Sequence, residues 1–134
     1  MSKFQEFLSS RDIENHIEEV EIPGLPHKFK IRAIGQAANK SIKKASAKTY
    51  TDKKTGQRIT ETDVDIYNTK LIAACCVYPN FKDADWQRDK GVAGAEELIE
   101  GLLLPGEYLN LVVEIQRICG FDTNINDSIS DAKN

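Results

Sequence analysis

The chain has 134 residues, of which 40% are hydrophobic and 29% are charged, a balance typical of one folded domain and unlike that of a disordered chain. Its apolar runs, such as Leu71 to Val77, are far shorter than the roughly 18 residues of a membrane-spanning helix, and its first residues lack the apolar stretch of a signal peptide. We therefore expect a cytoplasmic protein with no membrane partner.

The three cysteines are Cys75, Cys76 and Cys119. An odd count with two adjacent cysteines is a poor disulfide framework and fits small core residues. A zinc site that also used His16 and His27 is the alternative, but no CxxC or HxxxH spacing is present. We expect no metal and no cofactor.

Charge is strongly segregated along the chain. Residues 28–58 contain ten Lys or Arg and one acid, a net charge of +9, whereas the remainder contains eight basic and twenty acidic residues, a net charge of −12. Such a segment can bind an acidic partner or a nucleic acid. Alternatively, the basic and acidic parts face each other or keep the domain soluble, and this interpretation is favoured because no aromatic residues are interleaved for base stacking.

The first structural elements are an arm and a hairpin. In residues 1–15, Phe4, Phe7 and Leu8 recur at helical spacing, which indicates a short helical turn or a flexible N-terminal arm. Residues 19–22 and 29–33 then alternate apolar with charged side chains on either side of a Pro-Gly-Leu-Pro turn, a pattern that predicts an antiparallel β-hairpin. An isolated hairpin is marginally stable, so its inner face needs a cover.

A helix that begins near Gly35 is expected to supply that cover. Its thin apolar stripe consists of Ile34, Ala38, Ser41, Ile42, Ala45 and Thr49, and its opposite side carries Lys40, Lys43, Lys44 and Lys48. Residues 50–60 then indicate a loop, or a second short hairpin that turns at residues 54–56.

A second helix is predicted from cap-like residues at 62–65 to Tyr78, because Pro79 cannot continue it. Its apolar part, residues 71–77, should lie at the centre of the core. Residues 80–90 indicate a short helix that ends at Gly91. Trp86 in this helix is interpreted as a core residue or, beside Phe81, as a contact anchor for a partner.

The chain ends in a predicted helix pair. One helix begins at Gly94 or Ala95, and the next begins at Pro105, since proline favours the first turn of a helix and excludes Leu104 from the α region. Gly120 and Phe121 end this last helix. Residues 122–134 lack an apolar period, and we expect them to form a disordered tail.

These elements predict an α+β fold. An N-terminal antiparallel β-hairpin should pack on a mainly helical region of four to five helices. Residues 16–121 then form a single globular domain between the arm and the tail. No catalytic set is apparent, because the paired carboxylates all lie at helix starts and no GxGxxG or GxSxG motif is present. We therefore expect a protein that is not an enzyme.

The span from Leu71 to Phe121 resembles the XkdN-like tail assembly chaperones of phages and prophages. The shared features are an apolar helix that ends in Tyr-Pro-Asn-Phe, a short helix with Lys-Asp near its start, Gly-x-x-Gly, leucines that lead to Leu-Pro-Gly-Glu-Tyr, and a last helix closed by Gly-Phe. The most specific piece is residues 104–108, which break one helix and start the next.

The resemblance implies a function in the host cytoplasm. Proteins of this family help the tape-measure protein during tail tube assembly and are absent from the mature virion. Such a chaperone must shield apolar stripes of a long helical chain reversibly, and helix-in-groove contact suits that task. Candidate partner-binding residues are Phe4, Phe7, Leu8, Lys40, Lys44, Lys48 and Trp86. The alternative function is a small nucleic-acid-binding or regulatory protein that uses residues 28–58, although we expect no nucleic acid partner.

The resemblance also implies a second partner, a longer form of the chain made by ribosomal frameshifting, and self-association. Residues 132–134 are Ala-Lys-Asn, and the codons GCA AAA AAC would contain a slippery heptamer. The gene sequence tests this hypothesis, because another choice of codons or a closed −1 frame would contradict it.

Overall fold

Helices and small antiparallel sheets alternate along the chain in the computed structural model, which describes residues 2–13 and 15–121. The elements are α1 (Lys3–Ser9), β1 (Ile17–Val20), β2 (Phe29–Arg32), α2 (Gln36–Ala45), β3 (Ala47–Thr51), β4 (Arg58–Thr62), α3 (Val64–Cys75), β5 (Cys76–Tyr78), α4 (Ala84–Lys90), α5 (Ala95–Leu102) and α6 (Pro105–Ile118). The predicted α+β class is confirmed, with six helices among the described residues instead of four to five. None of these helices is long and apolar enough to cross a membrane.

A three-stranded sheet with the order β1-β2-β5 contains the predicted hairpin. Glu19 pairs with Lys30 across the two strands, as the alternating pattern requires. The third strand corrects the prediction that the second helix runs to Tyr78. That helix ends at Cys75, and Cys76 takes an extended conformation opposite Ile31. A continuous apolar run fits a buried helix and a buried strand equally well, so the pattern could not locate this change.

The core lies between this sheet and helices α3, α5 and α6. Ile31 of β2 is fully buried, together with Leu71, Ile72, Cys75, Phe81, Leu98, Ile99, Leu111 and Ile115. The Tyr108 hydroxyl of α6 lies 2.8 Å from the Thr69 hydroxyl of α3 and fixes the two helices side by side. We call this part of the molecule the body, and define it as β1, β2, β5 and α3 to α6.

Helix α6 has the predicted boundaries. Pro105 is its first residue, and the Leu104 N–H donates to the Glu107 carboxylate at 2.8 Å. At the other end Gly120 has φ +87°, and the Phe121 N–H donates to the Gln116 carbonyl at 2.9 Å. These contacts satisfy backbone groups that helix ends leave free.

Residues 36–62 comprise α2 and the hairpin of β3 and β4, which together we call the projecting unit. Helix α2 packs chiefly on α3 through the half-buried Ile42 and a hydrogen bond between Asn39 and the Tyr67 hydroxyl. The predicted stripe is confirmed in part: Ile34 and Ile42 are half-buried and pack against the core, whereas Ala38 and Ala45 are exposed and Thr49 belongs to β3. The predicted cover of the β-hairpin by this helix is wrong, because α2 packs chiefly on α3. Helix α6 contacts β2 instead.

The segment that follows α2 is the second hairpin, one of the two predicted alternatives. Strands β3 and β4 pair from Ala47–Thr62 to Thr51–Arg58, and Gly56 has φ +73° in the turn, where glycine avoids strain. The Asp63 N–H donates to the Ser46 carbonyl at 2.8 Å, so the two ends of the hairpin meet. Asp63 also caps α3 by accepting from the Ile66 N–H at 3.1 Å.

Candidate functional site

An apolar groove opens on the body where the β1–β2 turn, the end of β5, helix α4 and the end of α5 meet. It has a volume of about 220 Å³, less than the ~300 Å³ of the smaller ligand pockets. It is lined by Leu25, Pro26, His27, Phe29, Tyr78, Pro79, Phe81, Trp86, Leu102 and Leu103. This size and lining suit one or two apolar side chains of a partner protein better than a small polar ligand.

The walls and floor of the groove differ in exposure. Phe81 and Phe29 are buried with ring centroids 6.5 Å apart and form the floor. On the wall, Tyr78 and Trp86 remain 43% and 39% exposed and meet edge to face at 6.5 Å. A rigid aromatic wall that keeps part of its surface in water is typical of a contact anchor. The structure therefore places Trp86 at the edge of the core.

Local capping fixes the position of Trp86. The Asp83 carboxylate accepts from the N–H groups of Asp85 and Trp86 at 2.8 and 3.3 Å and so begins α4. Gly91, with φ +79°, ends the helix as predicted. The predicted start near Asn80 is too early, because residues 80–83 form the capping turn.

Helix α1 carries Phe4, Phe7 and Leu8 on one stripe, and their exposed fractions are 68%, 61% and 52%. A reciprocal cap starts the helix: the Gln5 N–H donates to the Ser2 hydroxyl at 3.1 Å, and the Ser2 N–H donates to the Gln5 side chain at 3.0 Å. None of its residues is buried. Its end, at Ser9 and Ser10, lines a cleft of about 370 Å³ with Ile118, Cys119 and Gly120. The three predicted apolar residues therefore share one surface, separate from the groove at Trp86.

The three predicted lysines lie on the projecting unit. Lys40 and Lys44 are one turn apart on α2, and Lys48 is in β3, with its Nζ 3.6 Å from the Asp63 carboxylate. Among the described residues, the ten basic side chains of segment 28–58 form one other ion pair, Lys28–Glu21 at 4.0 Å. These two ion pairs therefore do not support the interpretation that the basic and acidic parts of the chain face each other.

The three cysteines differ in burial and in the direction in which the pKa of the thiol is shifted. Cys75 and Cys76 are buried, and burial raises the pKa of Cys76 to about 12. Cys119 is half-buried, and a hydrogen bond from the Cys75 thiol lowers the pKa of Cys119 while the same contact raises that of Cys75. Within the part of the chain that the structure describes, no group of three or more His, Cys, Asp or Glu side chains could hold a metal ion.

The sequence did not reveal most of the groove. The sequence predicts Tyr78 in a helix, whereas Tyr78 belongs to β5 and lies on the wall of the groove. The groove joins residues 25–29, 78–86 and 102–103, which are far apart along the chain, and side-chain periodicity reports only local geometry. Three proline-containing stretches, at residues 23–26, at Pro79 and at residues 103–106, were the available signals of chain breaks near the groove.

Comparison with known proteins gives two findings. The family model described as phage XkdN-like tail assembly chaperone protein matches residues 4–133. Among solved structures, the crystal structure of the protein YqbN is similar in fold, with a TM-score of 0.69 and 20% identity over 91% of this chain and 99% of that chain. None of the curated proteins matches.

Proposed function

Because the chain belongs to the XkdN-like family of phage tail assembly chaperones, we propose that it binds the tape-measure protein while the tail tube is built, without catalysing a reaction. A tape-measure protein is long and helical, so it presents apolar stripes that must be shielded until the tube covers them. A binding surface for this client should be apolar, open and reversible.

The groove at Trp86 carries the proposal. Its floor is buried and fixed, whereas its wall of Tyr78 and Trp86 is open to water. A helix can lay apolar side chains into such a groove at three- and four-residue spacing. A wall that is already in place reduces the entropy lost on binding.

Two further surfaces support the same function. The exposed side chains of Phe4, Phe7 and Leu8 on α1 offer a second apolar surface to a client. Lys40, Lys44 and Lys48 face solvent on the projecting unit and can contact acidic positions of a client helix. Exposed lysines contribute more to the rate of association than to affinity, and salt weakens them.

Co-expression with the tape-measure protein of the same phage tests the proposal. The full chain should keep the large protein soluble and co-purify with it. Trp86→Ala and Leu102→Ala should weaken this binding by about tenfold or more, because buried aromatic and aliphatic anchors dominate such contacts. Leu109→Ala is the matched control, since Leu109 is an exposed helical leucine outside the groove.

Two results would contradict the proposal at different levels. If the tape-measure protein is neither solubilised nor co-purified, this client is wrong. If it is bound equally by the wild type and both groove variants, the client is right and the groove is the wrong site.

We also propose that the protein acts in the host cytoplasm and leaves before the particle is finished. A shield that occupies the apolar stripes of the client must be displaced when the tube forms around them. Quantitative mass spectrometry of purified virions should then detect the tape-measure protein and the tube but not this chain. Stoichiometric amounts in mature particles would contradict transient action.

A second candidate function, nucleic-acid binding or regulation by residues 28–58, is favoured by one observation. Apart from Lys28 and Lys48, no basic side chain of this segment has an ion pair among the described residues. Phosphate binding should weaken steeply between low and moderate salt, because each neutralised phosphate releases counterions. Apolar client binding should change little over the same range.

A further inference from the structure

We propose that Cys75 and Cys119 form a two-cysteine site for oxidation by a small peroxide, in which Cys119 reacts first and Cys75 then joins it in a disulfide. The inference goes beyond the proposed function, because it concerns thiol chemistry at the ends of α3 and α6. The pair shares no residue with the groove at Trp86, so its failure would leave the proposed client binding standing.

The two thiols meet where α3 and α6 end. Cys75 is the last residue of α3, and Cys119 caps the carboxyl end of α6. Cys75 belongs to the buried core, and Cys119 packs against that core. Cys119 also lines one cleft with Leu71, which lies one turn before Cys75 on α3. Since helix ends have fewer backbone hydrogen bonds to lose, a small shift there can bring the two sulfur atoms to bonding distance.

The two cysteines differ in access from solvent. Cys119 is half-buried and lines two clefts, with volumes of about 370 and 210 Å³. The larger cleft is also lined by polar side chains, those of Arg11, Asp12 and His16. Cys75 is fully buried. Hydrogen peroxide, which is little larger than water, can therefore reach the Cys119 sulfur, whereas Cys75 meets the oxidised sulfur of Cys119.

The surroundings of Cys119 favour its thiolate, the form of cysteine that attacks a peroxide. The hydrogen bond from the Cys75 thiol lowers the pKa of Cys119, and a hydrogen bond from the Ile34 N–H acts in the same direction, whereas burial opposes both. The contact with Cys119 and burial raise the pKa of Cys75. A protonated thiol thus lies beside a thiolate, which sets the order of the two steps.

One molecule of hydrogen peroxide supplies the oxidation. The Cys119 thiolate attacks one peroxide oxygen, the O–O bond breaks, and the leaving hydroxide takes a proton to become water, so that Cys119 becomes a sulfenic acid. The Cys75 sulfur then attacks the Cys119 sulfur, the S–O bond breaks, and the hydroxyl group leaves as water with the Cys75 proton. The two thiols lose two electrons, and the peroxide is reduced to two waters.

An external dithiol can reverse the reaction. Its thiolate attacks the Cys119 sulfur, which faces the clefts, and Cys75 leaves as a thiolate that takes a proton. The second thiol of the reagent then displaces Cys119 and becomes part of a disulfide of the reagent. Since a cytoplasm keeps thiols reduced, the Cys75–Cys119 disulfide is a transient state formed while peroxide is present.

Cys76 is the alternative partner of Cys75, but the chain geometry opposes this pairing. The Cα atoms of adjacent residues are about 3.8 Å apart, closer than the ~4.4–6.8 Å across an ordinary disulfide. Cys76 is also held in the sheet opposite Ile31, and burial raises the pKa of Cys76 to about 12. Cys119 is therefore the better partner.

Peptide mapping by mass spectrometry tests the proposal on the full chain, first reduced and then treated with hydrogen peroxide at low protein concentration. The wild type should lose two hydrogen atoms and yield a peptide pair linked through Cys119, and dithiothreitol should restore both thiols. Cys76→Ala is the matched control, since Cys76 is also buried and follows Cys75 directly. This variant should form the same link, which assigns it to Cys75.

Two further variants separate the steps. In Cys119→Ser, oxidation of Cys75 should be about tenfold or more slower than in the wild type, because a fully buried thiol does not meet the oxidant. In Cys75→Ala, oxidation should stop at the sulfenic acid of Cys119, which a 1,3-diketone reagent labels. Far-UV circular dichroism before oxidation shows whether each variant is folded, and mapping of the wild type decides the pairing without them.

Four outcomes would overturn the two-cysteine site. These are a wild type without an intramolecular link, a link between Cys75 and Cys76, a link between two molecules, and an unchanged rate of Cys75 oxidation in Cys119→Ser. Oxidation of Cys119 to a sulfinic acid in the wild type, with Cys75 still reduced, is a form of the first outcome and would show that Cys75 does not reach it.

Discussion

The body and the projecting unit differ in how their side chains are covered. Almost every buried side chain of the described residues belongs to the body or its turns, and the projecting unit contributes only Ser46. Strands β3 and β4 contact each other far more than they contact other elements. The body therefore buries most of the described core, and the projecting unit exposes most of its side chains, including its lysines.

This separation explains why the projecting unit can carry so many lysines. Burial of a lysine requires a partner, because removal of the charge from water is costly. Since the unit buries little, its lysines remain in water. The same lack of burial leaves the unit dependent on α3 for its position, through Ile42, Tyr67 and the Ser46–Asp63 contact.

The difference in burial between the body and the projecting unit is tested most directly by one strand isoleucine from each. Ile31 of β2 is fully buried, whereas Ile59 of β4 is half-buried. Ile31→Ala should lower the free energy of unfolding by about 2–5 kcal/mol, since it removes a large core side chain and leaves a cavity. Ile59→Ala should lower it by less than about 1 kcal/mol. Urea unfolding followed by far-UV circular dichroism measures both, and equal losses would mean that the hairpin belongs to the core.

The next largest loss of unfolding free energy is expected from a substitution at the start of α6. Glu107 is buried and accepts from the Leu104 N–H at 2.8 Å. A Cβ on Gly24, which has φ +94°, would lie 3.1 Å from the same carboxylate. Glu107→Ala should cost about 1–2 kcal/mol of unfolding free energy, because it leaves a helix-start N–H without its partner. Glu100→Ala, at an exposed position of α5, is the control and should change stability by less than about 0.5 kcal/mol.

The ion pair between Lys70 of α3 and Glu96 of α5, at 2.8 Å, predicts a smaller and pH-dependent effect. The hydrogen bond from Lys70 lowers the pKa of Glu96. The pair therefore stabilises the fold at neutral pH, and this contribution is lost as the pH falls through the lowered pKa of the folded state. Lys70→Met should cost a few tenths to about 1 kcal/mol at pH 7, because both groups are partly exposed.

At a pH well below the ordinary range of glutamate, this difference between Lys70→Met and the wild type should vanish. Arg88→Met is the control, since its ion pair with Asp85 is far more exposed. If Lys70→Met still lowers the free energy of unfolding at acidic pH, the aliphatic part of the lysine side chain, and not its charge, contributes the stability.

Removal of the hairpin should have the smallest effect of all. The ends of the hairpin meet at Ser46 and Asp63, 2.8 Å apart between the carbonyl oxygen and the N–H nitrogen. Replacement of residues 47–62 by two glycines should change the free energy of unfolding by less than about 1 kcal/mol, since a shorter connection also costs less entropy to close. A loss as large as that of Ile31→Ala would contradict the division between body and projecting unit.

The fold could be predicted from the sequence where local chemistry was decisive. Pro105 and Gly120 bounded α6, Gly91 ended α4, and alternation placed β1 opposite β2. Prediction failed where the apolar pattern carried no period. The run from Leu71 to Val77 divides into a helix and a strand because Cys76 finds a pairing partner in Ile31, and such a long-range contact has no local signature.

The candidate site was less predictable than the fold. The sequence identifies Trp86, beside Phe81, as a candidate contact anchor, but Tyr78, Leu25 and Leu102, which line the same groove, come from three other segments of the chain. The lysines of α2 were predicted on the face opposite an apolar stripe, and the structure shows that only Ile34 and Ile42 of this stripe pack against the core. Charge segregation was visible in the sequence, whereas the small number of ion pairs that segment 28–58 forms with other described residues was not.

The edge-to-face contact between Tyr78 and Trp86 has an optical consequence. Because Trp86 is the only tryptophan of the chain, all of its indole emission originates at the wall of the groove. Emission from an indole shifts to shorter wavelength when water leaves its surroundings. Binding of a client helix in the groove should therefore shift the intrinsic fluorescence to shorter wavelength, which can be measured without a label.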